Sequence, residues 1–226
     1  MAFKIMEAVR KGNVKKGGFQ EGWVEKMQEL GVPQWYIDSL AKIAYLFPKA
    51  HAVAYVLMGF RIAWYKVHEP LAFYSALFYR LSQKGNFDAE MMTGGINKVR
   101  AKIKEINSNP NATAKEQDLL TTLELVYEFY MRGFDFAPID LYESDAIRFD
   151  PVGDKLLRVP FVAVSGLGET AAQDLAKARE GGRTFVSVED VAAICPKVSS
   201  SHIEVLKKLG AFRELPETSQ MTLFDF

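Results

Sequence analysis

The chain has one cysteine, Cys195, in 226 residues. That excludes an internal disulfide and any zinc site built from several cysteines. Histidine is also scarce, at three. No apolar run approaches the roughly 18 residues of a membrane helix, and the opening MAFKIMEAVRKG has no signal-peptide core. These absences lead to the expectation of a cytoplasmic protein with no membrane partner. There is no net charge, with 28 basic and 28 acidic residues, but the two halves differ. Residues 1–110 carry 16 Lys and Arg against 9 Asp and Glu, and residues 111–226 carry 12 against 19. A basic first half suits contact with an anionic polymer or a phosphate, and equally a solvated helical surface.

What is present is mostly helical periodicity. Residues 3–11, 23–30 and 35–44 read as amphipathic helices around a basic, glycine-containing loop at 12–18. The chain opens directly in helix, which raises the expectation that it is a piece of something longer. From Pro48 to Tyr65 the sequence is nearly all apolar, so that helix is expected to be buried on most sides. Lys49, His51, Tyr55 and Arg61 interrupt it. His51 and Tyr55 lie four apart and share a face. Cations and ring donors near a helix start suit a triphosphate and its base; the same residues also suit a solvated lead-in to a core helix. Pro70 breaks that helix, and residues 71–81 begin another. Residues 89–106 and 115–132 follow as helices, the first with exposed cations and the second closed by Gly133. Residues 134–161 change character, and AIRFD and KLLRVPF read as strands with a hairpin at 152–154.

Residues 164–175, VSGLGETAAQDL, are the most informative stretch. Two glycines one residue apart permit a tight turn with exposed amides, and a helix with Ala171, Ala172 and Leu175 on one face follows. Free amides at a helix start form an anion site. This is the helix-hairpin-helix pattern, which holds a nucleic-acid phosphate through the main chain and reads no base. Ser165, Gly166, Leu167 and Gly168 are its candidate contacts. A second helix pair, 187–194 and 201–209, has no glycine in its turn, CPKVS. It is expected to pack against the first, with Lys197 near enough to add an electrostatic contact. Residues 216–219 read as a tether. Beyond them, Gln220, Leu223 and Phe224 have the layout of a peptide that docks in another protein.

The stretch FPKAHAVAYVLMGFRIAWYKVHEPLAFYSAL at 47–77 is similar to the fingers segment of bacterial C-family replicative polymerases. FKIMEAVRKG, FAPIDLYESDA, GLGETAA and QMTLFDF resemble the Gram-positive PolC type in the same order. The resemblance implies a mainly α chain: helical fingers at 1–133, a connector with short strands at 134–158, a tandem helix-hairpin-helix domain at 159–213 and a flexible clamp-binding tail at 214–226. It implies that Lys49, His51, Tyr55 and Arg61 face the deoxynucleoside triphosphate, that the hairpins hold primer-template duplex, and that Gln220, Leu223 and Phe224 anchor on the sliding clamp (the beta subunit) among the other replisome subunits. The parent reaction needs Mg2+, whose aspartate ligands in this family lie in the palm, and no Asp-x-Asp pair is found here; the chain alone is expected to be inactive. Asp135, Asp140 and Asp145 are spread through the connector. Two rival readings are a non-catalytic adapter that binds DNA and docks on a clamp, and a helix-hairpin-helix glycosylase. The adapter would have no need of residues 47–68. The only candidate base for the glycosylase is Asp190, which sits at a capping position.

Overall fold

The computed structural model describes residues 1–47 and 49–219. Among them are twelve α-helices and one three-stranded sheet, so the chain is mainly α. No described helix is long and apolar enough to cross a membrane. The chain divides into two compact units, Met1–Ala63 and Trp64–Phe226.

The first unit contains α1 (Ala2–Arg10), α2 (Asn13–Gly17), α3 (Trp23–Glu29), α4 (Gln34–Lys42) and the start of α5 (Lys49–His68). Ile5, Val9, Val14, Trp23, Met27 and Ile37 form its core. The expected loop at 12–18 is instead largely a short helix, because buried Val14 draws it onto that core. Gly12 has φ +72°, and a Cβ there would meet Ala44 O at 2.0 Å. Only glycine allows that approach. The Leu46 amide donates to Arg10 O at 3.0 Å, which ties the lead-in of α5 to the end of α1.

α5 departs most from expectation: none of its residues is buried. Tyr55 is 67% exposed and Phe60 73%. Apolar composition on every side shows that a helix can be covered all round, but carries no information on where the cover comes from. Pro48, where that apolar stretch begins, lies outside the described residues.

In the second unit, Pro70 opens α6 (Pro70–Gln83) at its first turn, where its missing N–H costs nothing. The expected 89–106 helix is two, α7 (Ala89–Met92) and α8 (Ile96–Asn107). Gly95, at φ +90°, separates them. α9 (Ala114–Met131) begins with a complete capping box: Thr113 Oγ1 accepts the Glu116 amide at 3.3 Å, and Glu116 accepts the Thr113 amide at 2.7 Å. A closed ring of side chains joins α9 to α6 and the last turns of α5. Lys66 and the Tyr74 hydroxyl both donate to Glu128, at 2.8 Å each. Arg132 donates to the Tyr74 hydroxyl at 3.3 Å and to Lys66 O at 2.9 Å. Burial pushes the Tyr74 pKa up to about 12.

The sheet comprises β1 (Asp135–Ala137), β2 (Asp150–Val152) and β3 (Leu156–Arg158) in the order β1-β3-β2. The hairpin expected at 152–154 joins antiparallel β2 and β3. β1 lies parallel to β3, with Phe136 opposite Leu157. Pro151 is tolerated because β2 is an edge strand. Residues 146–149, expected as strand, are turn instead: Asp145 Oδ1 accepts the amides of Ile147 and Arg148 at 2.8 and 2.9 Å. Such an Asx turn competes with the extended ladder.

Tyr74, Phe78, Phe129, Phe149, Leu157, Phe161, Leu175, Leu206 and Phe212 belong to one continuous core. The expected limits at 133/134 and 158/159 therefore do not coincide with the division into compact units, which falls inside α5. The connector is core rather than linker: Phe136 and Phe149 pack in one aromatic cluster with Phe78 and Phe129.

Candidate nucleic-acid interface

Three short α-helices come last among the described residues: α10 (Glu169–Ala178), α11 (Val188–Ile194) and α12 (Ser200–Lys208). Buried apolar side chains hold the turn before α10. Val164 and Leu167 on either side of the bend are 1% and 3% exposed, and Ala171, Ala172 and Leu175 line the buried face of the helix. The Leu167 amide closes the turn on Val164 O at 3.0 Å. Ser165, Gly166 and Gly168 between and beside these anchors are exposed. Gly166 has φ +80°, a left-handed conformation that a side chain resists. Gly168 is the N-cap of α10 and brings no side-chain cap. The first-turn amides of a helix have no partner inside it. In that first turn Glu169 and Thr170 are exposed, beside a bend with no side chain at either glycine.

The other two helix starts are closed. Ser187 Oγ accepts the Asp190 amide at 3.1 Å. Asp190 in return accepts from Val186 at 3.4 Å, one residue earlier than a standard capping box. The Val188 and Glu189 amides donate to Pro216 O and Glu217 O at 2.9 and 3.1 Å. Ser199 Oγ accepts the His202 amide at 3.3 Å. The expected tether is accordingly shorter than the sequence suggests. Pro216 and Glu217 lie against the start of α11, and Lys207 pairs with Glu217 at 2.8 Å. Arg213, upstream, is paired with Asp140 and, at 2.8 Å, with Glu143.

Lys197 lies in the second turn and pairs with Asp174 of α10 at 3.2 Å. An exposed pair of this kind contributes little to stability. The turn also carries Cys195, fully buried, whose thiol faces Asp174 O at 3.8 Å. Burial raises its pKa, which marks a packed thiol rather than a reactive one.

On α5 the rings of His51 and Tyr55 stand 4.3 Å apart, with Phe47 4.7 Å from His51 and Tyr45 5.1 Å from Phe47. This makes an exposed aromatic row. The four candidate residues do not converge. At about 100° per residue, Lys49 and His51 point to nearly opposite sides, and Arg61 lies about 15 Å along the axis from His51. Gln220, Leu223 and Phe224 lie outside the described residues.

The connector carboxylates do not make a metal site. Asp140 Oδ1 accepts the amides of Tyr142 and Glu143 at 2.9 and 3.1 Å, and its other oxygen pairs with Arg213. Asp145 holds the turn described above, and Asp135 accepts the adjacent Phe136 amide at 2.7 Å. Among the described residues no group of three or more His, Cys, Asp or Glu is placed to hold an ion.

A family model described as a helix-hairpin-helix motif matches residues 133–221. DNA polymerase III PolC-type of Streptococcus pyogenes is 44% identical over 230 residues, a match that takes in 100% of this chain and 15% of that protein. DNA polymerase III PolC-type of Thermotoga maritima is 44% identical over 225 residues, 99% of this chain and 16% of the relative. The chain is homologous to a region of PolC-type DNA polymerase III. It spans about 15% of the length of these curated relatives. The identity to PolC-type DNA polymerase III extends over α5 as well as the hairpins, and the motif match includes the whole 165–168 bend. His202, which no sequence pattern singles out, is brought to that bend by the packing of α12.

Proposed function

We propose that this chain is part of a replicative DNA polymerase, a nucleotidyltransferase acting in DNA-templated DNA synthesis, and that it supplies nucleotide positioning, a sequence-independent hold on duplex DNA and a tether to the sliding clamp. The observation that carries the proposal is identity of 44% over the entire chain, joined to an exposed, uncapped glycine bend at residues 165–168. In this reading a phosphate of the primer-template duplex docks on the amides at the start of α10, where the helix dipole favours an anion. Such a contact sets register and carries no base information. Lys197 exchanges Asp174 for a neighbouring phosphate.

On α5, His51 and Tyr55, which share one face, meet the incoming deoxynucleoside triphosphate and the nascent pair, while Lys49 and Arg61, which do not converge with them, are left out of that contact. The exposed aromatic row supports this, since rings without cover offer stacking surface to a base. Gln220, Leu223 and Phe224 anchor on the clamp, and the remaining replisome subunits assemble around the polymerase in the cytoplasm. Mg2+ belongs to the reaction, but the carboxylates described here are engaged in turns and ion pairs and do not fit it. The chain's own share is positioning, and by itself it is expected not to extend a primer. The adapter reading explains residues 133–221 alone, whereas the homology covers the first 132 residues too.

The test is equilibrium binding of the 226-residue chain to duplex DNA across a salt series. Tight binding that weakens linearly in log–log coordinates, with little dependence on sequence, is expected. Absent or salt-insensitive binding would refute the phosphate hold.

A further inference from the structure

His202 belongs to the second hairpin, on the first turn of α12, yet its ring faces the first. Nε2 stands 3.3 Å from the point where a Cβ on Gly166 would be. The other ring nitrogen, Nδ1, lies 2.9 Å from Ser199 Oγ. That hydroxyl already accepts the His202 backbone N–H at 3.3 Å and lies 2.8 Å from Ser201 Oγ. We propose that His202 is a DNA-contacting residue, whose Nε2–H donates to an oxygen of the same phosphate that docks on the 165–168 bend. The inference rests on the reading of that bend as a phosphate hold.

Three features carry it. A serine hydroxyl whose oxygen accepts a backbone amide keeps its own proton to give. With Ser201 Oγ donating to Ser199 Oγ, that proton goes to Nδ1 and the ring hydrogen sits on Nε2, the nitrogen nearest the bend. The capping serine of α12 thus orients the ring as well as closing the helix. Next, the missing side chain at Gly166 is what opens the approach. A Cβ at that position would stand in tight contact with Nε2 and screen it from an incoming oxygen. Finally, Ser165, Gly166 and Gly168 are exposed and His202 is half-buried, so the ring is held by its surroundings while its edge lies beside open backbone. A donor already oriented loses little freedom on binding. The second hairpin, whose own helix start is occupied by Ser199, contributes to the first through a side chain instead.

The experiment measures duplex binding and thermal unfolding of the full 226-residue chain in three forms: unchanged, His202→Ala and His202→Gln. His202→Ala should weaken binding about tenfold, the scale of one hydrogen bond to a charged group, with the unfolding temperature unchanged. His202→Gln, whose amide nitrogen reaches close to the position of Nε2, should restore most of the affinity. Equal binding by the alanine variant and the unchanged chain would overturn the inference while leaving the bend as a phosphate hold. Equal loss in both variants accompanied by a lower unfolding temperature would assign His202 a structural role and overturn it as well. No salt-dependent binding by the unchanged chain would remove the phosphate hold itself, and this contact with it.

Discussion

Replacing Gly168 with Asp should raise the stability of the second unit and lower its affinity for DNA. Gly168 has φ −68° and ψ 159°, the extended conformation that capping aspartates adopt, and a Cβ there meets nothing within 4 Å. The carboxylate therefore fits without backbone movement and accepts an amide in the first turn of α10. Gaining a cap in place of glycine contributes a few tenths of a kcal/mol, and an anion at the positive end of the helix adds about 0.3–1 kcal/mol. For a domain of this size, about 2–4 °C per kcal/mol turns that sum into an unfolding temperature about 1–5 °C higher. With DNA bound, the same carboxylate would lie about 5 Å from the phosphate. Coulomb repulsion at that distance is about 0.8 kcal/mol in a water-like medium and about 3 kcal/mol at an effective dielectric of about 20. Affinity should fall between about fourfold and two hundredfold, and the amide taken by the new cap deepens the loss. Thermal unfolding and a fluorescence-anisotropy salt series on one preparation read both effects. Gly168→Ser, a cap without the charge, should fall between the parent and the Asp variant in affinity. A stabilised Asp variant that binds DNA like the parent would refute the reasoning, because it would show that the amides of α10 are not what holds the phosphate.

Thr113→Ala removes the hydroxyl arm of the capping box on α9, leaving the Thr113 backbone amide on Glu116, and should lower the unfolding temperature of the second unit by about 2–4 °C; an unchanged melt would show that the hydroxyl cap adds nothing to what packing provides. Compared with a chain ended after Ser219, one ended after Leu215 lacks the carbonyls that accept from Val188 and Glu189 and should be less stable by about 1–3 kcal/mol. Identical melts for the two truncations would refute that role for Pro216 and Glu217. Tyr74 keeps its proton to a pKa of about 12 in the folded state, against 10.0 when free. Above pH 10.0 the unfolded chain therefore binds fewer protons than the folded one. This contribution is present in full below that pH and is lost as pH rises through about 12. A series of melts against pH should show the decline, and Tyr74→Phe should flatten it; identical alkaline slopes would refute the assignment.

The helical content and most of its punctuation were legible because the signals are local. The break at Pro70, Gly133 after α9 and Ser187 before α11 each act through the backbone of their own segment. The hairpin around Gly153 was legible for the same reason. The parallel partner of β3 was not, since β1 lies some 20 residues away and nothing in DFA records which strand it meets. Residues 146–149 have strand-like side chains, but the Asp145 carboxylate offers their amides a closer acceptor than a neighbouring strand. For α5 the apolar sequence fixes what kind of surface the helix presents, and the absence of any buried residue on it lies beyond what periodicity encodes. Of the candidate site, the glycine bend could be read from 164–175 alone. His202 could not: it is 36 positions from Gly166, and only the packing of α12 brings the two together.

The two hairpins look alike as patterns of helix, turn and helix, yet their amides are satisfied in opposite ways. At the start of α11 three successive amides, from Val188, Glu189 and Asp190, are taken by Pro216, Glu217 and the Ser187 hydroxyl. At the start of α12 a serine does the same for His202. α10 has a glycine in that place and no side-chain acceptor. Serine or aspartate at 168 would stabilise the helix in isolation, so the glycine is not explained by folding. It is explained if the acceptor comes from outside the chain. The rigidity of the bend points the same way: Val164 and Leu167 are buried within three residues of each other, so the open amides are held in one geometry before any ligand arrives. A phosphate needs that arrangement, because it brings charge and several acceptor oxygens but no fixed partner, and ordering a floppy loop around it would offset much of the attraction.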